Sequence, residues 1–166
     1  MRFRLKAEIP SLPEANDKSR DLALLRIEGP PLPAMVLQEG GRVREGQSIA
    51  FTGFPIGSVL GLSPVTHRGI ISAITPIVLP GATANQLNEK VIKRLRSGTF
   101  EIYQLDGTAY PGNSGGPLFE MEKGEVIGII NRTFVKETKE SVLTHPSGIS
   151  YAVPVVYLQE LLRDVR

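Results

Sequence analysis

Six short runs are rich in Val, Ile, Leu and Thr and bounded by turn residues: Gln47 to Gly53, Val65 to Ile74, Glu101 to Leu105, Pro117 to Met121, Glu125 to Asn131 and Gly148 to Val153. Runs of this length and texture form strands, because β-branched side chains fit a pleated surface and Gly and Pro end each run before a helix can propagate. Seventeen Gly and thirteen Pro among 166 residues supply that punctuation. The fold class they define is all-β, a barrel or a sandwich, and six strands suffice to close one barrel. Between the fourth and fifth runs, Glu122-Lys123-Gly124 provides the glycine that a tight hairpin needs at a positive φ.

Upstream the pattern is less regular. Phe3, Leu5 and Ala7 alternate with basic residues and predict a strand, followed by a loop from Pro10 to Arg20 that is dense in Pro, Asn, Asp and Ser. Asp21 to Ile27 is nearly continuously apolar after its leading acid, as expected of a strand buried on both faces. Gly29-Pro30-Pro31-Leu32-Pro33 then favours an extended crossover between two subdomains, since prolines fix φ and donate no hydrogen bonds. Two segments carry helical spacing. Leu87, Val91, Ile92 and Leu95 predict a short amphipathic helix over 84–96, and Val155, Leu158, Leu161, Leu162 and Val165 predict a closing helix over 154–166, with Pro154 at its first position. The expected organisation is therefore a small β unit over 1–28, a linker over 29–46, a barrel over 47–153 with a helical insertion, and the final helix.

Composition narrows the function classes. With 41% hydrophobic residues and a net charge of +2, the chain has material for a core and too little excess charge to imply nucleic acid or an anionic membrane as partner. The absence of cysteine excludes a disulfide framework and thiolate metal sites. The two histidines, His67 and His145, stand apart from acid clusters, so no metal site and no cofactor are expected.

The chemistry concentrates in Gly112-Asn113-Ser114-Gly115-Gly116-Pro117. Glycines flanking one serine let the backbone turn sharply, so that the N–H groups of Gly112 and Ser114 can converge beside the Ser114 hydroxyl. That arrangement suits acyl transfer, with Ser114 as nucleophile and the two N–H groups as an oxyanion hole. It needs a base and a group that orients the base.

Four segments together, Asp21 to Leu25, Gly112 to Pro117, Gly124 to Ile129 and Gly148 to Pro154, resemble trypsin-like serine peptidases, and most closely the bacterial HtrA/Deg-like branch. The resemblance implies two six-stranded antiparallel barrels with the active site between them. All of the second barrel is covered here and only the last strands of the first. It implies Ser114 as nucleophile, the Gly112 and Ser114 N–H groups as oxyanion donors, and Asp21 as the acid that orients the histidine. It implies an extended polypeptide substrate that pairs its backbone with Asn131-Arg132-Thr133, and a specificity pocket with Thr108 at the floor and Gly148 at a wall. With no acid on that floor, cleavage after small or medium apolar residues is expected. Asn113 stands where digestive and blood-clotting relatives carry an Asp that pairs with a newly cleaved N-terminus; a neutral amide forms no such ion pair, so activation of that kind is not implied.

One departure from the family is severe. Relatives place the base histidine upstream of the Asp, and residues 1–20 contain none. His67 falls in a second-barrel strand and His145 in the polar loop 136–147, so each reads as an ordinary strand or loop residue. The sequence thus implies a serine endopeptidase whose first strands, with the histidine, are absent. The competing reading is an inactive remnant that binds extended peptides or docks onto a chain supplying those strands.

Overall fold

The computed structural model describes residues 11–40, 42–55, 61, 63–76, 100–131 and 149–165. Its elements are β1 (Ser11–Asp17), β2 (Leu22–Ile27), β3 (Ser48–Gly53), β4 (Val65–Pro76), β5 (Glu101–Asp106), β6 (Pro117–Glu120), β7 (Val126–Asn131), β8 (Ile149–Pro154) and one helix, α1 (Val155–Asp164). The expected first strand over 1–6 and the helix over 84–96 lie outside the described residues. Two compact units divide the chain, one built from 1–35 and 156–166 and the other from 36–155. The first boundary falls between Met35 and Val36, just past the proline-rich run.

The larger unit is a closed antiparallel barrel in the order β3-β4-β5-β8-β7-β6, with β3 pairing both β4 and β6 to seal it. Closure removes the unpaired edges that an open sheet would present. Alternation places Ile49, Phe51, Ile71, Leu105, Leu118, Ile127, Ile130 and Ala152 in one core, each almost wholly removed from solvent. Gly69 is obligatory in this packing, because a Cβ there would lie 2.1 Å from the carbonyl oxygen of Asp106 on the neighbouring strand. Before β3 the chain is already bound to the barrel. Gln38 N–H donates to the Val126 carbonyl at 2.9 Å, and Val126 N–H donates to the Val36 carbonyl at 2.8 Å.

Glu120, at the end of β6, closes the β6–β7 hairpin. Its carboxylate accepts the N–H groups of Glu122 at 2.7 Å, Lys123 at 2.6 Å and Glu125 at 3.3 Å. Burial works to raise the pKa of this carboxyl, but the ring of backbone donors prevails and holds it below the ordinary value. Gly124 supplies the positive φ of +72° that the turn requires.

The smaller unit pairs β1 with β2 antiparallel. Two expectations are corrected here. Of the stretch from Pro10 to Arg20, expected as a loop, the described residues 11–20 form β1 and then a turn. The strand accommodates Pro13 because the register slips between Pro13 and Ala15, and a bulge on a two-stranded sheet tolerates a residue without an N–H. The strand expected to be buried on both faces buries only Leu22; Leu25 and Ile27 are exposed, since among the described residues β2 has a single neighbour. The turn between them is held by Asp17, which accepts hydrogen bonds from Ser19 N–H at 2.9 Å and Ser19 Oγ at 2.6 Å and pairs with Arg20 at 2.9 Å. Arg20 also lies 4.3 Å above the Tyr157 ring and 3.3 Å from the Glu160 carboxylate, which fastens α1 to this turn. Pro154 ends β8, opposite Gly128, and α1 starts one residue later.

Candidate active site

The loop 107–116 leaves β5 and enters β6, and five hydrogen bonds shape the bend that carries Ser114. Asn113 N–H donates to the Tyr110 carbonyl and Gly116 N–H to the Asn113 carbonyl, both at 3.0 Å, so two turns follow one another and Ser114 lies in the second. Gly115 N–H donates to the Ile130 carbonyl at 2.8 Å and Ile130 N–H to the Gly116 carbonyl at 2.9 Å, fixing the bend to β7. Phe54 N–H donates to the Gly112 carbonyl at 3.1 Å from the opposite side. Among the described residues, the N–H groups of Gly112 and Ser114 have no carbonyl partner. The Ser114 side chain is exposed to solvent.

Glycine is required at two of these positions for distinct reasons. Gly112 has φ +101°, and a Cβ on it would sit 2.1 Å from the Phe54 carbonyl oxygen. Gly116 has no unusual φ, but a Cβ there would meet the Thr52 carbonyl oxygen at 2.3 Å. The sequence pattern thus encodes close backbone approach as well as turning freedom.

Asn113 points the opposite way from Ser114. Its side chain is completely buried against Gly53, and neither its Oδ1 nor its Nδ2 has a hydrogen-bond partner among the described residues. His67 stacks on Phe51 with ring centroids 5.0 Å apart, and Tyr110 lies 6.0 Å away on a tilted ring. Its Nε2 is buried without a partner among the described residues, and burial pushes its pKa below the ordinary histidine value. Ser150, on β8, accepts the Ala109 N–H through Oγ at 2.7 Å and so ties the start of the loop to the barrel wall.

The other expected site residues fall as follows. Thr108 is half-buried in the same loop. Asn131 is buried at the end of β7, opposite Tyr151. Asp21 lies in the smaller unit, exposed, in the turn that precedes β2 and with φ +54°, a left-handed conformation that Asp tolerates better than most residues. Arg132, Thr133, His145 and Gly148 lie outside the described residues. Phe51, Tyr110 and Ser150 escaped the sequence reading, because nothing local distinguishes a residue that supports a loop from one that fills a core. No group of three His, Cys, Asp or Glu among the described residues is arranged to hold a metal, and no described helix is long and apolar enough to cross a membrane.

The closed six-stranded barrel with an exposed serine in a glycine bend defines a β-barrel domain of one family, and comparison with known proteins says which. Residues 3–129 match the model of the trypsin-like peptidase domain, and the chain belongs to that family. It is 32% identical over 162 residues to a probable periplasmic serine endoprotease, DegP-like, of Halomonas elongata, covering 98% of this chain and 28% of that protein. It is also 32% identical over 153 residues to the mitochondrial serine protease HTRA2 of Drosophila pseudoobscura pseudoobscura, covering 92% of this chain and 29% of that protein. Among solved structures it is similar to the HtrA-type protease AlgW with decapeptide, at a TM-score of 0.64 and 26% identity, covering 93% of this chain and 39% of that one. The chain therefore spans less than a third of the length of these curated relatives.

Proposed function

We propose that this chain is peptidase-domain sequence of an HtrA-like serine endopeptidase that cleaves extended polypeptides through an acyl-enzyme at Ser114. In this reading Ser114 Oγ attacks the scissile carbonyl, and its proton passes to an imidazole that Asp21 orients. The carbonyl oxygen becomes the oxyanion and accepts hydrogen bonds from the Gly112 and Ser114 N–H groups. Collapse expels the amine, and water then releases the acid. The observation that carries the reading is that the Gly112 and Ser114 N–H groups, at and just before an exposed serine, have no carbonyl partner among the described residues.

The substrate backbone would add to the segment Asn131-Arg132-Thr133, a mode that needs no particular side chains. The HtrA-type neighbour with a bound decapeptide supports this. Thr108 and Gly148 would shape the pocket and favour small or medium apolar residues. A peptide series in which Arg at the cleaved position proved best would overturn that preference.

His67 is held between Phe51 and Tyr110 and His145 falls in a polar loop by sequence, so in this reading the imidazole comes from the segment that relatives place upstream of the Asp. Removing a triad base costs on the order of 10⁶ in kcat. A fluorophosphonate probe tests the assignment directly. Strong labelling is expected in a chain extended upstream by a histidine-bearing segment, weak labelling in this chain, and none in Ser114→Ala of either. Absence of labelling in every extended chain would favour the second reading, a non-catalytic module that binds peptides or docks onto another chain. The exposed Leu25 and Ile27 of β2 are the observation that favours it.

A further inference from the structure

We propose that His67 is a positioning residue for the Ser114 bend, which it holds only while its ring is neutral. The inference rests on the acyl-transfer reading for its catalytic consequence, but its structural content stands separately.

The argument starts from register. His67 lies directly opposite Phe51 in the β3–β4 pair, so both side chains project to the same side of the sheet, and the rings stack at 20°. Tyr110 approaches the other rim of the imidazole from the loop. The same residue accepts the Asn113 N–H through its carbonyl, and Asn113 immediately precedes Ser114. His67 is thus joined to the nucleophile bend through one intervening residue. Displacing the imidazole leaves Tyr110 without its ring contact and frees the turn that begins at its carbonyl.

Protonation is what would displace it. A neutral imidazole is compatible with a stacked, largely apolar site, whereas an imidazolium there needs a carboxylate or water. Among the described residues no carboxylate lies within ion-pair distance of His67. β3 contributes no titratable group. Arg68, next along β4, is exposed and alternates to the other face, as is Asp106 at the end of β5, which faces Ile70. From the loop, the Tyr110 ring approaches the imidazole. Among the described residues nothing facing His67 compensates a positive charge, and burial already pushes its pKa below 6.5.

The test is a pH titration of the whole chain followed by NMR, observing the His67 ring and the backbone amides of Gly112, Ser114 and Gly115, in wild type, His67→Phe and His67→Gln. The amide resonances of the bend are expected to move with the His67 midpoint, below 6.5, and to lose that movement in both variants. His67→Gln serves if His67→Phe does not fold. Bend amides that stay fixed while His67 titrates, or that still move in the variants, would overturn the proposal. In the histidine-complete enzyme, the acid limb of kcat/KM is expected to change shape in His67→Phe while the limb set by the catalytic imidazole remains. If the bend responds in NMR but no serine-dependent hydrolysis exists in any extended chain, the functional reading fails and the positioning role does not.

Discussion

Asn113 and Gly112 show how closely the Ser114 bend is specified by burial and by backbone approach. Gly112→Ala would drive a Cβ into the Phe54 carbonyl at a left-handed φ, so the bend must open, and with it the oxyanion hole proposed there. Loss of one such donor costs about 10²–10³ in rate. Probe labelling of the extended enzyme is expected to fall by that order, with a lower melting temperature measured on the same sample. Asn113→Asp tests the buried amide. Desolvation raises a carboxyl pKa above its unfolded value, so the variant's deficit is small in acid, where the group is protonated in both states, and grows as pH rises through the unfolded value. Thermal midpoints measured from pH 4 to 8 should therefore diverge from wild type toward the alkaline end. A deficit independent of pH would place the amide in solvent. The run Gly112 to Pro117 was readable because glycine spacing is local chemistry. The burial of Asn113 and the stacking of His67 were not, because they depend on which strand lies opposite, a fact no short window contains.

Among the elements, the barrel strands were legible and β1 was not. β4 alternates in burial nearly to its bulge, the signal that period-two patterning carries, and the hairpin glycine at 124 fixed the β6–β7 connection. β1 contains Pro, Asn and Asp, and its pairing exists because β2 offers a partner strand and a bulge absorbs the misfit. Propensity yielded to a tertiary neighbour. The hairpin end offers a sharp prediction. Glu120 has a folded pKa below its unfolded value near 4.5, so the stability it contributes is fully present above that value and is lost as pH falls through the lower, folded value. Glu120→Gln should flatten this acid dependence: its urea midpoint should lie below wild type at pH 7 and approach it near pH 3. An unchanged pH slope would show that the carboxylate does not clasp the turn in solution.

For the whole molecule, stability should be unevenly distributed. β7 is paired on both sides and buried along nearly its whole length, whereas the β1–β2 sheet has exposed apolar residues and a single ladder. Native-state hydrogen exchange is expected to be slowest at β7 and neighbouring barrel amides and markedly faster in β1 and β2; equal protection would contradict this division. Truncating a core residue such as Leu105→Ala or Ile127→Ala should cost about 2–5 kcal/mol, read from denaturant midpoints. The same substitution at exposed Leu25 should have little effect.

The circular strand order also sets a schedule for biogenesis. β8 sits between β5 and β7, so a nascent polypeptide that has emerged only as far as residue 131 offers five strands and two open flanks. The ring can shut only after residues 149–154 leave the ribosome tunnel. Until then the flanks of β5 and β7 lack their ladder partner, and ring formation, governed by contacts distant in sequence, belongs to the slow millisecond-to-second regime.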